Sequence, residues 1–219
     1  MLTVVAADNA SAWKHNVKKA ERRLLFIRPN LMLVEDLVNL EEPETGIQSW
    51  NSLGAWTILT TNSCRTSVGP VTADLRCLIP RNVSLTASED SVHRSPTTAE
   101  IVPAYRAAFE TADSTHHHLF TLITIGSELN QQAGLQAERI QTDPLVLRIQ
   151  NDQDTILITP QGTLAGAALP GVQTDGSLTA LVLRNSTPTA AITVDATTLT
   201  INGHTTEGAG FIMWRSQND

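Results

Sequence analysis

Residues 21–38 read ERRLLFIRPNLMLVEDLV. Two apolar runs lie on either side of Pro29 and Asn30, with Arg22 and Arg23 opening the first and Glu35 and Asp36 closing the second. Each run is too short for a helix in a compact core, and Pro-Asn is a turn signal, so the spacing predicts a β-hairpin. Leu25, Ile27, Met32 and Val34 are its expected buried positions. Closing the hairpin brings Arg22 and Arg23 near Glu35 and Asp36. Ion pairs there would fix the register, each contributing roughly a few tenths of a kcal/mol if exposed. The two carboxylates do not form a catalytic pair, because consecutive strand residues face opposite sides of a sheet.

Outward from the hairpin, the same rhythm runs through the chain. Expected strands cover 2–7, 22–28, 31–38, 47–53, 55–61, 72–79, 82–87, 104–110 and 116–125, then 145–150, 155–159, 178–184, 191–194, 198–201 and 211–215. The separators are turn chemistry: Glu41-Glu42-Pro43-Glu44-Thr45-Gly46, Gly69-Pro70, Pro160-Gln161-Gly162, Pro170-Gly171, Asp175-Gly176 and Asn202-Gly203. Many short strands at this spacing predict an all-β fold, an antiparallel β-sandwich. Two stretches invite a helical turn. Residues 11–20 begin with a capping Ser, and 127–139 (SELNQQAGLQAER) hold helix formers around a central Gly. The expected organisation is a sandwich over 1–126, a connector over 127–144, and C-terminal strands over 145–219 that complete the sandwich or form a small second sheet.

With 219 residues and 41% apolar content, the chain can bury a substantial core. A net charge of -7 argues against nucleic acid, which calls for a basic stripe, and offers no general attraction to acidic glycans. No apolar run approaches the ~18 residues of a membrane-spanning helix, and Asp8 and Asn9 end the N-terminal apolar run before a signal peptide is complete. No membrane association is therefore expected. Cys64 and Cys77 flank the Gly69-Pro70 turn, but a hairpin centred there would place Cys64 opposite roughly residue 73. Cys77 alternates with Leu75 and Ile79, so a buried free thiol is expected.

Three groups of residues carry candidate chemistry. In His116-His117-His118, strand alternation puts His116 and His118 on one face, able to chelate a divalent ion such as zinc or calcium if His93, His204 or Asp113 joined them. The competing reading is a solvated strand entry whose histidines titrate near neutral pH. Trp50 and Trp56 bracket a short connection and could stack on sugar rings, although strand tryptophans more often fill a sandwich core. Tyr105, the single tyrosine, is adjacent to Arg106, but consecutive strand residues diverge. The chain holds no phosphate-cradling Gly-rich loop, His-Glu-x-x-His, Gly-x-Ser-x-Gly or Cys-x-x-Cys.

The order of Arg, an aliphatic-aromatic run, Pro, a second aliphatic run and Asp resembles the central β-sandwich of heparinase II/III-like polysaccharide lyases. Ala7-Asp8-Asn9-Ala10-Ser11-Ala12-Trp13, Leu75-Arg76-Cys77-Leu78-Ile79-Pro80 and Leu119-Phe120-Thr121-Leu122-Ile123 agree with it. The resemblance covers roughly residues 6–125 and rests on strand-forming apolar patterns. It implies β-elimination on uronic-acid-containing polysaccharides, a periplasmic or secreted location, and an α/α toroid ahead of the sandwich that nothing in this chain could build. In that family the catalytic Tyr and its His or Asn companions come largely from the toroid, so no catalytic residue is carried over, Tyr105 included. The implied partners are an acidic polysaccharide and the missing toroid, with a homodimer as the expected way to cover a face left without it. The alternative function is a free-standing, non-catalytic β-sandwich that binds glycan or a protein.

Overall fold

The computed structural model describes residues 2–8, 10, 16–28, 30–93, 101–127, 136–142, 145–150, 154–159 and 171–216. Its strands are β1 (Leu2–Asp8), β2 (Val17–Ile27), β3 (Leu31–Glu44), β4 (Ile47–Ser52), β5 (Trp56–Thr60), β6 (Ser63–Val68), β7 (Val71–Ile79), β8 (Ser84–His93), β9 (Ile101–Glu110) and β10 (Ser114–Ser127). There follow β11 (Gln136–Thr142), β12 (Leu145–Gln150), β13 (Asp154–Thr159), β14 (Val172–Thr174), β15 (Leu178–Arg184), β16 (Thr187–Ile201) and β17 (His204–Arg215). The chain divides into two compact units, one of residues 5–131 and one of residues 1–4 with 132–219.

The first unit is a sandwich. Its larger sheet has the order β1-β2-β3-β10-β7-β6-β5, and its smaller one β4-β9-β8. The pairings given residue by residue within these two sheets are antiparallel. The predicted hairpin is β2–β3, paired from Ile27↔Leu31 to Arg22↔Asp36. Val34, Leu75, Cys77, Leu119 and Ile123 of the larger sheet meet Ala107 and Phe109 of the smaller one in a common core, with Met32, Trp50 and Trp56 packed against it. Alternation explains the membership, since Val34↔Thr121, Thr121↔Cys77, Ile123↔Leu75 and Cys64↔Leu75 all align on one face. Leu25, Leu33, Phe120 and Leu122 lie on the opposite face and are also buried. Burial on both faces at residues 31–34 of β3, Met32 only partly, and at 119–123 of β10 is why these stretches read as nearly unbroken apolar runs.

The second unit is a sheet of seven strands in the order β11-β12-β13-β15-β16-β14, with β17 also pairing β16. Leu157, Leu181, Ala191, Leu199, Ile201 and Ile212 form its core, with Trp214 against it.

Four local expectations change. Residues 17–20 open β2 and are not helical, because pairing such as Ala20↔Val38 supplies the ladder; the Ser11 end of that expected helix lies outside the described residues. The acidic turn at 41–46 shrinks to Thr45 and Gly46, since β3 runs on through Glu44. Asn16 holds that extension like a neighbouring strand: Glu42 N–H donates to Asn16 Oδ1 at 2.6 Å, and Asn16 Nδ2 donates to Glu42 O at 3.2 Å. Residues 136–142 of the expected connector are β11, paired with β12, where Arg148 Nε donates to Glu138 Oε1 at 2.6 Å. Cross-strand pairing there overrides the helical propensity of Gln, Ala, Glu and Arg; residues 128–135 lie outside the described residues. Lastly, β6 was not expected as a strand, and β16 joins two expected strands across register shifts between Val194 and Thr198, with Asp195 at φ 54.

Candidate functional site

In the first unit, the hairpin charges divide between the two faces of the larger sheet. On the core face, Asp36 accepts a two-pronged bond from Arg22, Nε to Oδ1 at 2.6 Å and Nη2 to Oδ2 at 2.7 Å. Asp36 Oδ2 also accepts from Gln48 Nε2 on β4 at 2.8 Å, and Gln48 Oε1 in turn accepts from Thr121 Oγ1 on β10 at 2.6 Å. This chain of bonds ties β2, β3 and β10 to the smaller sheet. Gln48 and Thr121 are fully buried, so the network replaces water that the core excludes. Gln48 was not singled out from sequence. Its signal was there, because it alternates with Trp50 on β4 and so shares that residue's core-facing side.

On the opposite face, Glu35 is 1% exposed and lies between Arg23 and His118. Arg23 Nη1 approaches Glu35 Oε2 at 3.4 Å, and His118 Nε2 donates to Glu35 Oε1 at 2.9 Å. Arg23 also pairs with Glu21, which in turn meets Lys19 Nζ at 2.6 Å. The ion pairing expected between the Arg22-Arg23 and Glu35-Asp36 ends of the hairpin is present, as Arg22–Asp36 and Arg23–Glu35. The prediction treated them as exposed, whereas Arg23, Glu35 and Asp36 are buried. A buried carboxylate left without its partner would cost several kcal/mol, of order 3–5. Their role is accordingly larger than the tenths assigned to surface pairs.

The histidine triplet separates in the same way. His118 points to Glu35 and packs edge-on against Phe120, ring centres 6.5 Å apart. His116 is exposed, its Nδ1 2.8 Å from Thr115 Oγ1. His117 turns into the core, where Nε2 donates to Glu44 O at 2.9 Å and Nδ1 lies 2.8 Å from Thr111 Oγ1. Of the further ligands considered from sequence, Asp113 accepts from Thr45 Oγ1 at 2.6 Å, and His204 belongs to the second unit. The side chain of His93 lies outside the described residues. Among the described residues, no three His, Cys, Asp or Glu side chains gather as a metal site would require.

Trp50 and Trp56 both pack against the sandwich core. Trp56 Nε1 donates to Tyr105 O at 3.0 Å, which pins the ring to β9. The Trp50 indole N–H is buried and, among the described residues, has no hydrogen-bond partner. Both rings are partly buried. Tyr105 and Arg106 diverge as expected: Tyr105 lies opposite Ser52 and Glu89, while Arg106 Nε reaches Ser49 Oγ at 3.2 Å. Cys64 lies opposite Leu75, two positions from Cys77, and both thiols are free and buried. Burial pushes each thiol up to about 12, so neither is a nucleophile at neutral pH.

No protein-family model and no curated protein matches the chain. Solved structures do. The heparan sulfate lyase HepC from Pedobacter heparinus matches over 98% of this chain and 26% of its own, with TM-score 0.51 and 16% identity. A heparinase III matches over 98% and 26%, with TM-score 0.53 and 11% identity. A heparinase III with methylated lysines gives 98% and 26%, TM-score 0.52 and 10% identity. The chain shares the fold of part of these lyases. It spans 26% of their length, and at this identity the likeness concerns the backbone fold alone.

Proposed function

We propose that the chain is the β-sandwich portion of a polysaccharide lyase of the heparinase II/III kind, acting on uronic-acid-containing polysaccharide in the periplasm or outside the cell. The observation that carries this is the match of nearly the whole chain to about a quarter of such lyases. In this reading the sandwich supports and walls one side of a glycan cleft, and an α/α toroid supplies the chemistry.

The chemistry of β-elimination explains that division of labour. The reaction neutralises a sugar carboxylate, removes the C5 proton and protonates the leaving O4, so it needs a cation, a base and an acid converging on one sugar. Here the buried Arg23 and the exposed Arg22 are committed to Glu35, Glu21 and Asp36. His117 is bonded at both ring nitrogens, and His118 is held by Glu35. Tyr105 and Arg106 occupy opposite faces of β9. These groups hold sheets together.

The test is to incubate the purified chain with heparan sulfate and with alginate and to follow the ultraviolet absorbance of the unsaturated uronate. The expected result is no turnover above blank by the chain alone, and turnover once it is combined with a toroid encoded beside it. Turnover by the chain alone would refute this division of labour. The absence of any toroid coding sequence in the flanking DNA would favour a free-standing binding module.

A further inference from the structure

Asn202-Gly203 forms the two-residue turn between β16 and β17, closed by Ile201↔His204. Both turn residues have positive φ, 50 for Asn202 and 83 for Gly203, which is the geometry such a hairpin demands. Both are exposed. Asn202 N–H donates to Gly171 O at 2.8 Å and the Asn202 carboxamide packs against Gly171, but among the described residues no group hydrogen-bonds that side-chain amide or the Gly203 N–H. Glycine has no Cβ to hinder approach to its own nitrogen, so the Gly203 amide is an unusually accessible internal nucleophile.

We propose that Asn202 is a spontaneous deamidation site, and that the structure protects the chemically similar Asp175-Gly176. The deprotonated Gly203 nitrogen attacks Asn202 Cγ. The N–Cγ bond forms, the Cγ–Nδ2 bond breaks and ammonia leaves with a proton, giving a cyclic imide. Water then opens either imide carbonyl, leaving aspartate or, with one extra backbone carbon, isoaspartate. No oxidant or cofactor is needed. The nitrogen reaches Cγ when the turn opens, and the exposed tip of a two-residue hairpin opens at the low end of local-unfolding free energies.

At Asp175-Gly176 both reacting atoms are held. The Asp175 carboxylate accepts Thr197 N–H at 2.9 Å and Thr198 N–H at 3.0 Å. Gly176 N–H donates to Thr174 Oγ1 at 3.1 Å, in a buried position. A Cβ on Gly176 would stand 1.9 Å from Thr193 Oγ1, so the backbone there is packed too closely to swing. At Asn202 an isoaspartate would lengthen a turn built for two residues and disturb both β17 and β14, whose Val172 pairs with Ile201.

The test is incubation of the full chain at mildly alkaline pH and body temperature, followed by ion exchange, peptide mapping and enzymatic isoaspartate labelling. Asn202 should be the first asparagine to gain the mass of an amide-to-acid exchange. Its rate in the folded chain should lie within about tenfold of that in the isolated tryptic peptide, as expected for a tip that opens cheaply. Asp175 should show no isoaspartate, and Thr197→Val, which removes the Thr197 hydroxyl that donates to Asp175 Oδ2, should expose it to isomerisation. A slower rate at Asn202, acid gain at another asparagine first, or isoaspartate at Asp175 in the unaltered chain would overturn the assignment.

Discussion

Replacing Gln48 with leucine removes the one side chain that bonds both Asp36 and Thr121 across the first unit's core. Leucine nearly matches glutamine in volume, so the change is chiefly the loss of two hydrogen bonds. The bond to the Asp36 carboxylate is of the charge-assisted kind, at about 1.5–3 kcal/mol. Asp36 keeps its two bonds from Arg22 and is not orphaned, which limits that loss. Thr121 is 0% exposed and loses its carboxamide acceptor, a desolvated hydroxyl costing about 1–3 kcal/mol. Gln48→Leu should therefore destabilise the first unit by roughly 3–5 kcal/mol, a large fraction of the ~5–15 kcal/mol typical of a domain. Adding Thr121→Val removes the stranded hydroxyl and should recover about 1–3 kcal/mol. Urea unfolding of the four proteins of this cycle, followed by tryptophan fluorescence and circular dichroism, measures both numbers. A single variant within ~1 kcal/mol of the parent, less than one such bond is worth, would refute the reasoning. So would a double variant less stable than Gln48→Leu alone.

Gly46→Ala should cost about 1–3 kcal/mol by overpacking, since a Cβ there would stand 2.5 Å from His117 Nδ1 and 2.8 Å from Thr111 Oγ1; a lower melting temperature checks it, and an unchanged one would mean the buried ring can move. Hydrogen bonds from Thr197 and Thr198 hold Asp175 well below the usual carboxylate range. Its stabilising contribution is thus present above the ordinary Asp pKa and lost as pH falls through the lowered one. Asp175→Asn should flatten the acid limb of the stability–pH curve without altering its neutral plateau's pH independence, a measurement made by thermal melts across acid pH. Cys64 and Cys77, raised by burial to about 12, should not react with a soluble disulfide reagent in the native protein at mildly alkaline pH, and both should react after denaturation; rapid native labelling would contradict their burial.

The sequence alone determined the all-β class and the β2–β3 hairpin. Apolar runs of strand length either side of a turn admit few other folds, but the structure decided the register: a two-residue Pro29-Asn30 turn would set Arg23 opposite Asp36, whereas the chain pairs Ile27 with Leu31 and therefore Arg22 with Asp36 and Arg23 with Glu35. Alternation likewise determined that Glu35 and Asp36 part company, that Tyr105 and Arg106 diverge, and that His117 faces away from its two neighbours. Tertiary structure decided what lies over each face. Burial is a property of the packed neighbour and is not written into the strand, so the hairpin ion pairs looked like surface pairs while Glu35 in fact sits at 1% exposure. For the same reason the alternation of Gln48 with Trp50 gave its face but not its partners Asp36 and Thr121, and the tryptophans, partly buried, pack against the core. Strand ends were also decided by partners far along the chain. Asn16 extends β3 to Glu44, and β12 draws helix-forming residues 136–142 into a sheet, because a ladder of cross-strand hydrogen bonds outweighs propensities of a few tenths of a kcal/mol, roughly, per residue.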